Sequence, residues 1–278
     1  MNLTLQSLLE YDLPAIADLF NRSFEGYIVP AQLKALSIHH LLRREALDLS
    51  ASRVVLYEGE PVAVAFINGR GRVCRLGAFG VFKDWRGKGV GRWLMEQVIA
   101  EAKARGDSKM RLEVIEQNLP AVNLYRSMGF QTVQRLIGFR GENPVGAPAP
   151  YSEVDPLVSA RRLIQHAPNL PWQVSGETLL ASNPNLHAFQ YGETSLFVEF
   201  FGSETALLRG MLQGTKEEVQ TLFRALFVDY PGRNWRVVAI FPELLVQDIL
   251  PELGFTLEPI SQWEMVLNLL EEGMGYPK

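Results

Sequence analysis

A glycine-rich stretch, DWRGKGVGRWLMEQV at residues 84–98, has residue types that could hold an anion. Gly87, Gly89 and Gly91 alternate with other residues where an amphipathic helix is predicted to begin, and Arg86 adds a positive charge. The first turn of a helix has unpaired N–H groups and a partial positive charge. Backbone without side chains can lie close to a phosphate group. The stretch therefore predicts a phosphate-binding turn, and a β-to-α turn without a ligand is the alternative.

The spacing of these glycines narrows the kind of phosphate site. The dinucleotide fingerprint requires G-x-G-x-x-G, and the Walker motif requires G-x-x-x-x-G-K-S/T. Neither pattern is present, and the pattern that remains is R-x-x-G-x-G over residues 86–91.

A second stretch, LEVIEQNLPAVNLYRSMGF at residues 112–130, follows at a characteristic distance. In this order the two stretches resemble the GCN5-related N-acetyltransferase (GNAT) family. The resemblance covers about residues 1–140 and implies an α/β (α+β) fold with a mixed, mostly antiparallel sheet flanked by helices. It also implies that the fourth and fifth strands splay apart and that the pantetheine arm of acetyl-CoA lies in the gap.

The resemblance implies acetyl-CoA as the co-substrate. One cysteine and four scattered histidines give no pattern for a structural zinc site, and we expect no metal. Asn118 precedes Pro120 at a helix start, where capping the helix is an equally good role. The cofactor-binding residues that the resemblance implies are Phe79, Gly80, Val81, Arg86, Gly87, Lys88, Gly89, Val90, Gly91 and Asn118.

Tyr125 stands where the family has the residue that assists the leaving thiolate, and a core tyrosine is the alternative. A free phenol has a pKa of about 10 and a thiol of about 8.5, so a strong hydrogen bond is as plausible as full proton transfer. Glu113 is the candidate proton acceptor because it alternates with apolar neighbours on a predicted strand, facing either the cleft or a solvated surface. Glu25 and Tyr27 lie in a loop where the family contacts its acceptor, and they are the candidate substrate-binding residues.

The elements that must position these residues follow from local patterns. Residues 53–69 read as a hairpin, and residues 73–82 read as a strand whose interior glycines, Gly77 and Gly80, suggest a bulge or a close approach. A second helix is predicted over residues 31–49, and further helices end near Ala104 and Met128.

The second half of the chain repeats the first at an offset of 125 residues. Gly129-Phe130 matches Gly254-Phe255, and the strand MRLEVI matches WRVVAI. A period this long indicates a duplicated domain rather than a solenoid. We therefore predict two tandem GNAT-like domains: a catalytic domain at 1–143, a proline-rich linker at 144–156, and a degenerate domain at 157–278 that lacks the arginine–glycine motif and the tyrosine.

Composition limits the classes of partner. The 278 residues carry a net charge of −4, which provides no general attraction to nucleic acid or to an anionic membrane. The single cysteine fits a cytoplasmic setting. We expect a monomer or homodimer that acetylates a small-molecule amine. The alternatives are acetylation of a protein N-terminus or lysine, and a non-catalytic acyl-CoA-binding sensor module.

Overall fold

The computed structural model describes residues 1–142, 144–181 and 185–270, which form two compact units. Unit 1 comprises Met1–Val114, Asn118–Val133 and the described part of Glu264–Lys278. Unit 2 comprises Ile115–Gln117 and Gln134–Trp263. Among the described residues, no helix has both the length and the apolar character needed to cross a membrane.

The N-terminal part of the chain supplies most of unit 1. Asp12 caps the first helix by accepting a hydrogen bond from Ala15 N, and Ile16 and Leu19 on that helix are buried. The elements are β1 (Leu3–Ser7), α1 (Leu13–Ser23), α2 (Ala35–Arg44), β2 (Leu47–Tyr57), β3 (Glu60–Arg70), β4 (Val73–Val81), α3 (Val90–Arg105), β5 (Lys109–Ile115) and α4 (Leu119–Ser127).

The middle and later parts of the chain supply unit 2. Its core contains a group of buried aromatic side chains around Phe223 and Trp235. The elements are β6 (Gln131–Gly141), β7 (Ser152–Val154), α5 (Pro156–His166), α6 (Gly176–Leu180), β8 (Leu186–Tyr191), β9 (Thr194–Phe201), β10 (Thr205–Leu212), α7 (Lys216–Asp229), β11 (Asn234–Pro242), α8 (Glu243–Val246) and β12 (Thr256–Leu257).

One further strand, β13 (Gln262–Asn268), is distant in sequence from the rest of unit 1 but lies beside β5 in the strand order. The order in unit 1 is therefore β1-β2-β3-β4-β5-β13. The pairs from β1 to β4 are antiparallel and the β4–β5 pair is parallel. This arrangement confirms the predicted mixed, mostly antiparallel sheet.

Unit 2 has the same kind of sheet, in the order β6-β11-β10-β9-β8-β7 with β12 also pairing β6. Its parallel pair is β10–β11, and its other pairs are antiparallel. The offset of 125 residues places β5 on β11, and both Gly129 and Gly254 have a positive φ. The predicted duplication of the fold is therefore present in the topology.

Three local predictions differ from the structure. The second helix is shorter than predicted, because Ala46 turns the chain with a φ of 55° and Leu47 begins a strand that pairs with β3. The predicted linker contains β7 and the start of α5, and Gly146 lies against α7, where a Cβ would be 2.9 Å from Arg224 O. The predicted domains are continuous in sequence, whereas the compact units are not, and β13 belongs mainly to unit 1.

Candidate active site

The N-terminus of α3 is open in the way that the glycine pattern predicts. Gly87 and Gly89 have φ angles of 74° and 85°, in the left-handed region that glycine adopts without strain. Gly89 is the N-cap of α3, and no side chain caps the helix. The first turn contains no acidic residue, so its N–H groups and the partial positive charge of the helix remain available to an anion.

The space around these glycines is also free of other protein atoms. A Cβ built at Gly87 or at Gly89 would meet nothing within 4 Å. Gly91 is different, because its Cβ position lies 3.4 Å from Val81 and 3.7 Å from Phe79. Gly87 and Gly89 therefore shape an open cradle, and Gly91 lets the helix start pack against the end of β4. Binding of a pyrophosphate at this cradle stays a prediction.

The basic side chains near the cradle have partners in the protein. The Arg86 guanidinium donates to the carbonyls of Val81 (2.9 Å), Ser23 (3.1 Å) and Glu25 (2.8 Å). Lys88 Nζ lies 5.2 Å from the centroid of the Trp85 ring. Arg86 thus fixes the loop after α1 to the end of β4, a role that the sequence did not predict; a contact with the cofactor stays a prediction.

Strands β4 and β5 separate as the resemblance implied. Their parallel register covers only Val73–Leu76 with Lys109–Leu112, although β4 continues to Val81. Phe79, Gly80 and Val81 therefore lie beyond the part of β4 that pairs with β5. An extended ligand could pair with their backbone along the edge that β5 leaves open.

Two glycines within β4 are required by protein packing. Gly77 sits at a bulge, and a Cβ there would lie 2.1 Å from Asn68 Oδ1. A Cβ at Gly80 would lie 2.5 Å from Ser23 Oγ. The predicted bulge and close approach are both present, and the neighbours are protein side chains.

Tyr125 lies on α4 with its ring against Phe79 of β4. The two ring centroids are 6.2 Å apart in an edge-on arrangement, and Phe130 lies 5.8 Å away. Burial raises the pKa of Tyr125 above its ordinary value near 10, and the neighbouring Tyr27 hydroxyl adds to the rise. The phenol therefore keeps its proton throughout the neutral range.

Asn118 and Tyr27 join Tyr125 in one group. The Asn118 carboxamide caps α4 by accepting a hydrogen bond from Ala121 N (3.4 Å), and it donates one to Tyr27 Oη (3.4 Å). The capping alternative is thus present, together with a contact that the sequence did not predict. The structure brings together three predicted site residues that are far apart in sequence.

Glu113 lies outside the group formed by Tyr27, Asn118 and Tyr125. Its carboxylate is buried in an ion pair with Arg75 Nε (2.7 Å), and Arg75 also contacts Glu45 (3.3 Å). Burial alone would lower the pKa of Arg75, but the charges of Glu113 and Glu45 raise it. Glu113 faces neither an open cleft nor a solvated surface, and its role as proton acceptor stays a prediction. The sequence signal for this buried cluster is Arg75, a charged residue within an otherwise apolar strand.

Glu25, the other candidate substrate residue, is exposed and lines a different cavity. That cavity has a volume of about 650 Å³ and lies between the β2–β3 turn and residues 82–85. Neither Tyr125 nor Asn118 lines it. Nowhere in the described residues do three or more His, Cys, Asp or Glu side chains form a group able to hold a metal ion.

Comparison with known proteins finds similarity to one family in the N-terminal region. Residues 13–130 match the model of the acetyltransferase (GNAT) family. A 76-residue segment is 38% identical to mycothiol acetyltransferase of Thermobifida fusca (strain YX), covering 27% of this chain and 20% of that relative. The chain therefore spans about a fifth of that relative's length.

Solved structures resemble the whole fold. A GCN5-related N-acetyltransferase from Sphaerobacter thermophilus has a TM-score of 0.68 at 13% identity, over 97% of this chain and 96% of that one. A tandem GNAT protein from the clavulanic acid biosynthesis pathway has a TM-score of 0.63 at 17% identity, over 98% of this chain and 100% of that one. At these identities the likeness concerns the fold, and it extends over both units.

Proposed function

We propose that the protein transfers an acetyl group from acetyl-CoA to a primary amine, and that residues 13–130, which match the model of the acetyltransferase (GNAT) family, form the domain that does so. One observation carries the proposal: the open start of α3 adjoins the unpaired end of β4, through the contact of Gly91 with Phe79 and Val81. An anion cradle and a strand gap that meet in this way suit a long ligand with a phosphate group and an extended arm.

Each part of the chain has a separate task in this proposal. The first-turn N–H groups of α3 bind the pyrophosphate, and the backbone of residues 79–81 pairs with the pantetheine arm. Acetyl-CoA supplies the thioester carbonyl. The nitrogen of the neutral amine attacks it to form the carbon–nitrogen bond, the carbon–sulfur bond breaks to release CoA thiolate, and the amine nitrogen loses one proton to solvent. Tyr125 then donates a hydrogen bond from Oη toward the leaving sulfur.

The environment of Tyr125 favours a hydrogen bond over full proton transfer. An ordinary phenol is a weaker acid than an ordinary thiol by about 1.5 pKa units, or about 2 kcal/mol. Burial raises the pKa of Tyr125 and so widens this difference. The phenol stabilises negative charge on sulfur and keeps its own proton, in the manner of a donor in an oxyanion hole.

We propose a small molecule as the acceptor, with Tyr27 at its binding site. One observation supports the place of Tyr27 at the site, and another supports a small molecule as the acceptor. The Tyr27 hydroxyl is hydrogen-bonded to Asn118 and close enough to Tyr125 to affect its pKa. The relative from Thermobifida fusca is named for a small molecule, mycothiol.

The test is an initial-rate assay of thiol release from acetyl-CoA with a panel of amines. The panel should include monoamines, diamines, amino acids, amino sugars, and peptides with a free N-terminus or lysine. We expect release that depends on a small amine and matches acetylated product by mass spectrometry. CoA binding without turnover on any amine would contradict the proposal and favour a sensor. Turnover on peptides alone would favour the protein-acetylating alternative.

A further inference from the structure

A buried cluster of charged and polar side chains lies where β4 and β5 separate. The Arg75 guanidinium on β4 donates to the carboxylate of Glu113 on β5 at 2.7 Å, to that of Glu45 just after α2 at 3.3 Å, and to Asn68 Oδ1 on β3 at 3.5 Å. Asn68 Nδ2 also donates to the backbone carbonyl of Glu45 at 3.0 Å. One guanidinium thus connects three strands and one helix.

The position of this cluster coincides with the start of the gap. The last β4–β5 register pair is Leu76 with Leu112, and the next residue on β5 is Glu113. The next residue on β4 is Gly77, at the bulge. The Arg75–Glu113 bridge therefore connects the two strands at the point where their backbone pairing ends.

The surroundings of Glu113 do not suit a proton acceptor. The side chains of Arg75 and Glu113 are 6% and 4% exposed. Glu113 Oε1 is closed to solvent and has no hydrogen-bond partner among the described residues, while Oε2 binds Arg75. A base must reach the amine directly or through water, whereas this carboxylate is held in a buried ion pair with Arg75.

Buried charges also need a reason other than stability. Well-packed apolar residues are often as stabilising as a buried ion pair, whereas an ion pair has one favoured geometry. We propose that Glu113 is a positioning residue that acts through Arg75: the bridge fixes the point at which β4 and β5 part, and so sets the width of the gap that takes the acyl-CoA arm. This inference rests on the proposed acetyl-CoA-dependent function.

The experiment compares Glu113→Gln, Glu113→Leu, Arg75→Met and the double variant Arg75→Met/Glu113→Leu in the full-length protein. Glu101→Gln and Glu101→Leu are the matched controls, because Glu101 pairs with Arg53 Nε at 2.9 Å elsewhere in unit 1. The readouts are KM for acetyl-CoA, kcat, the pH profile of kcat/KM for the amine, and the affinity for CoA by calorimetry. Arg75→Lys replaces Arg75→Met if that variant does not fold.

A positioning role predicts a specific pattern. Glu113→Gln keeps the hydrogen bond to Arg75, so kcat should fall by less than about fivefold and the acidic limb of the pH profile should remain. Glu113→Leu should raise KM for acetyl-CoA roughly tenfold, with a smaller change in kcat. The double variant should have a KM no higher than Arg75→Met alone, and the Glu101 controls should match the parent.

A base would give the opposite pattern and would overturn the inference. Glu113→Gln would then lose about 100-fold or more in kcat, the acidic limb would disappear, and this loss would add to that of Arg75→Met. Unchanged KM and CoA affinity in folded Glu113→Leu would also overturn it. Absence of both CoA binding and turnover in the parent protein is a separate outcome, because it would reject the proposed function itself.

Discussion

The two units differ most clearly at the start of the helix that follows their fourth main strand. In unit 1, α3 begins at an uncapped glycine with no acidic residue in its first turn. In unit 2, Thr215 caps α7, and Glu218 completes a capping box with Glu217 beside it. The Glu218 carboxylate accepts hydrogen bonds from Thr215 N (3.1 Å) and Thr194 Oγ1 (3.3 Å).

Unit 2 thus contains its own anion where unit 1 leaves room for one. The 125-residue offset pairs Gly89 with Gly214, and a Cβ at Gly214 would lie 2.0 Å from Glu218 Oε2. The parallel strand pair and the positive-φ glycine after it are present in both units. Topology and ligand site are therefore separable: packing maintains the same sheet in both units, while the residues at the helix start differ.

The first prediction concerns the stoichiometry of binding: we expect one CoA molecule per chain, bound by unit 1. The N–H groups of Thr215 and Glu218 at the start of α7 already have side-chain partners, and the carboxylates of Glu217 and Glu218 repel a phosphate. Isothermal titration of the full-length protein measures the stoichiometry. A ratio of two would remove the distinction between the units.

The second prediction uses the residue that the two units do not share. The offset pairs Tyr125 with Leu250, a buried apolar side chain. Tyr125→Phe keeps the ring against Phe79 and removes the hydroxyl, so kcat should fall roughly 10- to 1,000-fold with CoA affinity nearly unchanged.

Steady-state and single-turnover rates measure this effect together, since slow product release can hide a change in chemistry. Because the pKa of Tyr125 is raised, the parent should also show no alkaline loss of kcat from phenol ionisation between pH 7 and about pH 10. An unchanged single-turnover rate in Tyr125→Phe would make the tyrosine a packing residue.

The third prediction gives unit 1 an internal anion like that of unit 2. Gly89→Asp adds strain at a φ of 85°, about 1 to 2 kcal/mol, and a negative charge at the helix start, up to about 2 kcal/mol. The strain is present with and without CoA and lowers stability, whereas the charge opposes binding of the phosphate. CoA affinity should therefore fall by up to roughly 30-fold, which corresponds to about 2 kcal/mol.

The matched control is Gly106→Asp at the other end of α3. Gly106 has a φ of 82° and open space around it, so the strain is similar and the cradle is untouched. Calorimetry should give Gly106→Asp the affinity of the parent, with circular dichroism confirming that both variants are folded. Equal affinities for the two variants would argue against a phosphate at Gly89.

The smallest effect is expected at Glu218. Glu218→Ala removes half of the capping box and should lower the free energy of unfolding by about 1 to 2 kcal/mol, without adding a second CoA. Glu218→Gln should lose less, because glutamine also completes a capping box. Denaturant unfolding and hydrogen exchange at the start of α7 measure the loss. A second bound CoA in Glu218→Ala would mean that this carboxylate alone closes the site in unit 2.

Sequence reasoning succeeded where the signal is local. The glycine spacing identified the start of α3, and Asn118 with Pro120 identified the start of α4. It failed where the partner is remote. The residues around Glu113 do not predict its ion pair with Arg75, 38 residues away. The residues around Arg86 do not predict its hydrogen bond to the carbonyl of Ser23.

The length of α2 shows the same limit. Residues 45–49 continue a helical pattern, but Leu47 and Asp48 pair with Asn68 and Ile67 of β3. Strand pairing provides partners that local propensity does not register. The predicted site residues Tyr27, Asn118 and Tyr125 were found separately, and only the fold shows that they meet.

The placement of β13 in unit 1 has a consequence for the order of biosynthesis. All of unit 2 has been translated once residue 263 is added, whereas unit 1 still lacks most of β13, from Glu264 onward. Domains commonly fold from the N-terminus onward as the ribosome makes them. Here the unit whose sequence emerges first is the last to have its sheet completed. Until β13 is translated, after the whole of unit 2, the edge of β5 that pairs with β13 has no partner strand.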